Sequence, residues 1–295
     1  MPTALRRLLD QRAEPLPPGI RRTLLLVAGV GVVVASIWAW RSSGLTVDDV
    51  EWLPIAVAFA VAAPASLALK AAEFRVAARV AGQRPPWPRS LEVAVVSSAA
   101  NLLPLPGSLL VTVRSLSEDG SSYGRAVASS AVPGLAWLAI TGLVGGTAII
   151  IEGAPVLGVA VIAAGLAAGA GAAALFRSNA PASGRAGLAA TIVLVEAGWL
   201  AVSACRLGLA VSALGVSIEP TQAVALSVAG ALTVAIGFFP GGLGVREALI
   251  AALAPLIGLP LDTGVLLGSL DRVIWLAFLA LAAALLAVVR PRRVR

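Results

Sequence analysis

Histidine is absent from this chain, while cysteine, methionine and tyrosine occur once each and only 13% of residues are charged. Without histidine the protein lacks the usual acid/base of neutral pH and the commonest metal ligand. The one cysteine, Cys205, cannot form an intrachain disulfide. Scarce charge excludes an ordinary soluble domain, which would need far more of it to coat a surface of this size. There is no P-loop, no clustered metal-ligand set and no soluble portion able to hold a nucleotide or an aminoacyl-tRNA. Ser129 and Ser130 have no accompanying base. The sequence therefore predicts no catalytic set, no metal and no cofactor.

What is abundant is apolar: 59% of the 295 residues are hydrophobic, and mean hydropathy is +0.94. This predicts an all-α, polytopic transmembrane bundle, long enough for roughly seven or eight passes of about 20 residues. The net charge of +7 comes from arginine with a single lysine, Lys70. In a membrane protein such an excess reads as basic cytoplasmic loops against anionic lipid, and no nucleic-acid partner is expected.

Along the chain, residues 1–22 form a basic N-terminal segment ahead of an apolar run, Thr23 to Trp40. A cleaved signal peptide is the competing reading. The run is longer than a typical signal core, and Trp38-Ala-Trp-Arg41 is a poor cleavage site, so a retained span is preferred, with Trp38 and Trp40 at the membrane surface. A second span from about 52 to 69 continues into a charged helical stretch with Lys70, Glu73, Arg75 and Arg79. Further spans are expected at about 125–150, 155–176, 187–213 and 264–289. Two apolar segments are broken: 90–116 by Leu103-Pro104-Leu105-Pro106-Gly107, and 221–259 by Pro240-Gly241-Gly242-Leu243-Gly244.

Charge decides how the broken segments run. If both are re-entrant hairpins, the outer loops hold Asp48, Asp49, Glu51, Glu152, Glu219 and Asp262 with Arg41 as the one base. Nearly all other arginines then lie inside, including those of the tail 290–295. Reading either segment as one full span would put basic loops outside, against the positive-inside rule. The expected architecture is thus a single transmembrane domain, 23–289, with about six full spans, two opposed re-entrant helical hairpins and both termini cytoplasmic. Broken backbone inside a membrane needs cover from protein or a wet cavity, and opposed broken helices build substrate sites in transporters.

The run Phe239-Pro240-Gly241-Gly242-Leu243-Gly244-Val245-Arg246-Glu247, with Asp271-Arg272 in the last span, resembles the flippase-like family of the lysylphosphatidylglycerol synthase transmembrane region, without its soluble synthase domain. Asn101 to Gly107 is similar to that family's earlier Pro/Gly segment, and the resemblance spans roughly residues 20–290. The chain departs from the family in the first hairpin. Where many relatives carry an acid and then an arginine, Ser108 and Val111 stand here, and the nearest base is Arg114. The resemblance implies translocation or binding of an anionic phospholipid or a polyprenyl-phosphate-linked lipid in a bacterial or archaeal plasma membrane. The alternatives are a non-transporting scaffold presenting lipid to a glycosyltransferase or envelope-synthesis partner and, from a third class, a lipid-modifying enzyme. Membrane lipids with anionic headgroups are the expected partners, alongside a possible membrane-protein partner or a homo-oligomer.

The residues themselves suggest how a site would work. Gly241, Gly242 and Gly244 permit a tight turn and close ligand approach. The helix that begins near Val245 aims its N-terminal amides at that turn, and Arg246 adds a charge suited to phosphate. Neighbours on a helix diverge, so Arg246 and Glu247 must face different ways, as must Asp271 and Arg272. Cross-pairing is expected, Arg246 with Asp271 or Glu247 with Arg272. Glu196 and Arg206 lie about 15 Å apart on one helix, too far for a salt bridge. Glu196 is either a protonatable coupling site or a buried structural partner. Arg206 either snorkels outward or pairs with another helix. The first hairpin contributes Asn101, Pro104, Pro106, Gly107 and Arg114 as candidates.

Overall fold

The computed structural model describes residues 18–101, 107–236 and 244–289. Pro104, Pro106, Pro240, Gly241 and Gly242 fall outside these, as does the expected meeting of the two hairpin tips. Every regular element among the described residues is helical. Helix α1 is Pro18–Ser43. Helix α2 runs from Trp52 to Val80, with a π-helical insert at Ala58–Ala62. Then follow α3 (Trp87–Ala100), α4 (Gly107–Glu118), α5 (Tyr123–Ile151), α6 (Pro155–Asn179) and α7 (Arg185–Ser212). Next come α8 (Pro220–Ile236), α9 (Val245–Leu253) with a 3-10 turn at Ala254–Ile257, and α10 (Leu261–Val289).

Five helices, α2, α5, α6, α7 and α10, are long and apolar enough to cross a membrane. At about 1.5 Å per residue even α6, with 25 residues, exceeds the roughly 30 Å hydrocarbon layer. The sequence expectations for α5, α6, α7 and α10 lie within three residues of the observed ends. Helix ends follow local chemistry. At the end of α2, Gly82 adopts φ 87°, and the Gln83 N–H reaches back to the Ala78 carbonyl at 2.8 Å. Glycine takes that left-handed conformation without a Cβ penalty. Pro155 opens α6 as one of its first two residues, where its missing N–H has no intrahelical partner to lose.

In each broken segment the two described limbs pack against each other, and a glutamine bridges their ends away from the break. Gln83, just before α3, donates its side-chain amide to the carbonyls of Leu116 and Asp119 at 2.9 and 3.1 Å and to Ser121 Oγ at 2.9 Å. The Leu116 carbonyl also accepts the Ser121 N–H at 3.1 Å, so the glutamine amide adds a second bond there and ties the end of α4 to the turn that follows. At the other end of this hairpin the Ser108 N–H donates to Asn101 Oδ1 at 2.9 Å. Gly107 lies so close to the Ala100 carbonyl that a Cβ would collide with it. Gln222, early in α8, does for the second hairpin what Gln83 does for the first, donating to the Ile257 carbonyl at 2.9 Å.

The two ends of the molecule therefore differ in charge. Asp48, Asp49, Glu51, Glu152, Glu219 and Asp262 lie in or beside the 44–51, 152–154, 213–219 and 258–262 turns, which shared buried clusters bring to one end: Ala154, Val216 and Leu259 in one, Leu45, Leu214 and Leu266 in another. The Glu51 N–H donates to the Ala213 carbonyl at 3.0 Å across this end. Arg84, Arg89, Arg125 and Arg185 lie at the opposite end, where Arg125 Nη2 donates to the Asn179 carbonyl at 3.4 Å.

Packing inside the bundle relies on small residues. A Cβ on Gly142 of α5 would sit 2.6 Å from Gly165 Cα of α6, so these backbones nearly touch. In lipid, van der Waals contact and not water exclusion holds helices together, and small residues maximise it. Ile149, Leu207, Leu226, Ile250 and Leu267 share one buried cluster from α5, α7, α8, α9 and α10. Lower on α10, Leu279 packs with Leu67, Ala94 and Val95 of α2 and α3. Helix α10 thus touches both hairpins.

Candidate functional site

The first turn of α9 builds the site. Gly244, at φ 81°, precedes the helix, and its N–H donates to Glu247 Oε2 at 2.8 Å. This return bond satisfies one orphan amide and turns the Glu247 carboxylate over the helix start. Its other oxygen stands 3.5 Å from Arg272 Nε on α10. Arg246, the preceding residue, points elsewhere and places Nη1 2.5 Å from Asp271 Oδ2. Both expected cross-pairs therefore form. Adjacent residues on each helix diverge, so two neighbours on α9 meet two neighbours on α10 as separate pairs.

A stripe of glycine on α10 allows this approach. A Cβ on Gly268 would lie 3.1 Å from Glu247 Cα, and one on Gly264 would lie 2.9 Å from Ala251 Cα. The bare stripe seats α9 against α10 one turn before Asp271 and Arg272. Larger residues there would hold the charged pairs apart.

Arg206 of α7 is the third guanidinium. It meets Asp271 through Nε, 2.5 Å from Oδ1, and Nη2, 3.2 Å from Oδ2. Its Nη1 donates to Ser66 Oγ at 3.3 Å, and Ser66 Oγ in turn donates to the Ala62 carbonyl at 2.9 Å. The guanidinium also lies 5.4 Å from the Trp275 ring centroid, within cation–π range. Of the two sequence readings for Arg206, pairing with another helix is the one observed. Its partner was hidden, because Asp271 was already assigned to Arg246. A buried arginine in an apolar helix must find an anion, and Asp271 has two oxygens to share. Ser66 gave no signal in the sequence; in the structure it lies one turn after the π insert.

Four helices thus converge on a network in which Asp271 is fully buried, with 0% of its surface exposed. It stands ten residues into α10, about 15 Å from that helix's start. Three guanidiniums, Arg206, Arg246 and Arg272, face two carboxylates, Glu247 and Asp271, which leaves these five side chains at +1. Burying charge is costly unless it is paired, and the network pairs Asp271 twice.

The remaining candidates lie elsewhere. Glu196 of α7 is 1% exposed, and its Oε1 has no hydrogen-bond partner among the described residues. It does not reach Arg206, and lies instead in the field of the Lys70–Glu73 pair of α2, whose charged atoms are 2.8 Å apart. Arg114 is 81% exposed and bonds Glu118 at 2.8 Å, near the base of the first hairpin and away from its tip. Asn101 accepts the Ser108 N–H and Gly107 packs on the Ala100 carbonyl, on either side of residues 102–106. Among the described residues no cluster of three metal-ligating side chains occurs.

The sequence model described as the lysylphosphatidylglycerol synthase TM region matches residues 23–283, nearly the whole chain. No curated protein matches the chain.

Proposed function

The chain belongs to the lysylphosphatidylglycerol synthase transmembrane-region family, and from that membership we propose that it binds an anionic lipid and moves it between leaflets. In this reading α1 is a sixth span, the α3–α4 and α8–α9 hairpins are re-entrant from opposite faces, and the basic end with both termini is cytoplasmic. The host is a bacterial or archaeal plasma membrane. The lipid carries a phosphate, as in phosphatidylglycerol or a polyprenyl-phosphate-linked sugar, and no covalent chemistry takes place.

The observation that carries the reading is the buried network at the start of α9. Its five side chains sum to +1, and a phosphodiester brings the missing negative charge into a low-dielectric site. Asp271 is held twice by Arg206, so Arg246 is able to exchange its carboxylate for a phosphate without leaving Asp271 unpaired.

Reconstituted liposomes with labelled phosphatidylglycerol or polyprenyl phosphate test this. Arg246→Ala should slow leaflet exchange by about 10-fold or more, the loss expected when one charge-assisted hydrogen bond disappears. Equal rates for wild type and variant overturn the reading. A second reading, a scaffold that presents lipid to an envelope-synthesis partner, is favoured by one feature: the network is internally paired and closed. Lipid binding that depends on Arg246 with no exchange in either protein would support it.

A further inference from the structure

At the basic end, far from the α9–α10 network, lies an open cleft of about 540 Å³ between α2 and α7. One wall carries Arg75 and Arg79, four residues apart on the last turns of α2, and Arg84 in the turn that follows. The other wall is the turn with Ser183 and Gly184 and the first turns of α7, with Gly187 and Thr191. No carboxylate lines this cleft. Among the described residues no acid lies within ion-pair distance of any of the three arginines.

The neighbouring arginines are differently engaged. Arg89 faces Glu92 and Glu118. Arg185 turns back to the carbonyls of Arg177 and Ala180 at 3.0 to 3.2 Å. That leaves the cleft to Arg75, Arg79 and Arg84. Arg75 is positioned, since its guanidinium lies 5.2 Å from the Trp87 ring centroid. A cation–π contact of this kind restrains a guanidinium without consuming its N–H donors, which stay available to an oxyanion. An unpaired trio of guanidiniums repels itself, and an anion with several oxygens relieves that repulsion while accepting from each. The volume falls in the range of small-ligand clefts.

We propose that this cleft is a binding site for a phosphate group, with Arg75, Arg79 and Arg84 as its donors. A phosphate reaches it from two sources, an anionic lipid headgroup at the membrane surface or a soluble phosphate ester. The site shares no residue with the α9–α10 network, so it stands whether or not that network moves lipid.

The test uses the full-length chain in detergent, with native mass spectrometry reading the affinity for two probes, dioctanoyl phosphatidylglycerol and glycerol 3-phosphate. Wild type is compared with Arg79→Gln/Arg84→Gln, both exposed positions, and with Arg177→Gln, an exposed arginine at the same end outside the cleft. The double variant should weaken binding by at least about 10-fold, with Arg177→Gln close to wild type. Loss for the lipid alone assigns the site to headgroups, loss for glycerol 3-phosphate alone to a soluble ester, and loss for both to the phosphate itself. Unchanged affinity for both probes, or equal weakening by Arg177→Gln, overturns the proposal, because the surface would then be merely basic. Thermal unfolding of each variant separates lost binding from lost fold.

Discussion

Asp271→Asn should destabilise the bundle sharply, and removing Arg206 as well should return much of the loss. Asp271 is fully buried and accepts from two guanidiniums on different helices, Arg206 of α7 and Arg246 of α9. Asparagine keeps an acceptor but deletes the charge, and two buried cations then face each other. Removing one partner of a buried ion pair costs about 3–5 kcal/mol, and the second cation places this site toward the upper end. In Asp271→Asn/Arg206→Gln one of the stranded charges is gone and the five-residue network returns to +1. Residues that share one network show coupling energies of about 0.5–3 kcal/mol, so the double variant should lie well above the sum of its parts. The assay is reversible unfolding in mixed micelles, followed by tryptophan emission, for wild type, both single variants and the double. Additive losses within about 0.5 kcal/mol would refute the shared-carboxylate account.

Three smaller perturbations test the frame around the network. Gln83→Leu removes the amide that closes the base of the α3–α4 hairpin. The Leu116 carbonyl keeps the Ser121 N–H, so losing the amide's bonds should cost about 1 kcal/mol and speed hydrogen exchange around residues 116–121. Gly142→Val forces a side chain against the Gly165 backbone, where overpacking costs about 1–3 kcal/mol; a cysteine crosslink between α5 and α6 should then form more slowly. Asp49 takes hydrogen bonds from the Thr46 N–H and Oγ1 at 2.8 and 2.7 Å, which hold its carboxyl below the usual range. A lowered folded pKa means that this turn is stabilised above the ordinary aspartate pKa and loses that support as pH falls through the lowered value. The protection factor of the Thr46 amide, its exchange rate relative to an unstructured amide at the same pH, should accordingly be higher at pH 6 than in strong acid, and a protection factor that ignores acidification would deny the bond its role.

The helical, membrane-embedded character of this chain was already decided by composition and run length. A 25-residue apolar stretch with turn residues at each side has one stable form in hydrocarbon, because only a helix satisfies its own backbone there. The pairing of Arg246 and Glu247 with Asp271 and Arg272 was partly legible too, since adjacent residues on a helix cannot face one partner. Two things needed the folded chain. Arg206 lies 65 residues from Asp271, and nothing local in an apolar helix announces which distant carboxylate will share its charge. Gly264 and Gly268 read as ordinary small residues until α9 rests on them and their missing Cβ atoms set the distance at which four charged side chains meet. Local periodicity encodes the helices; only their packing determines which buried charges neutralise one another.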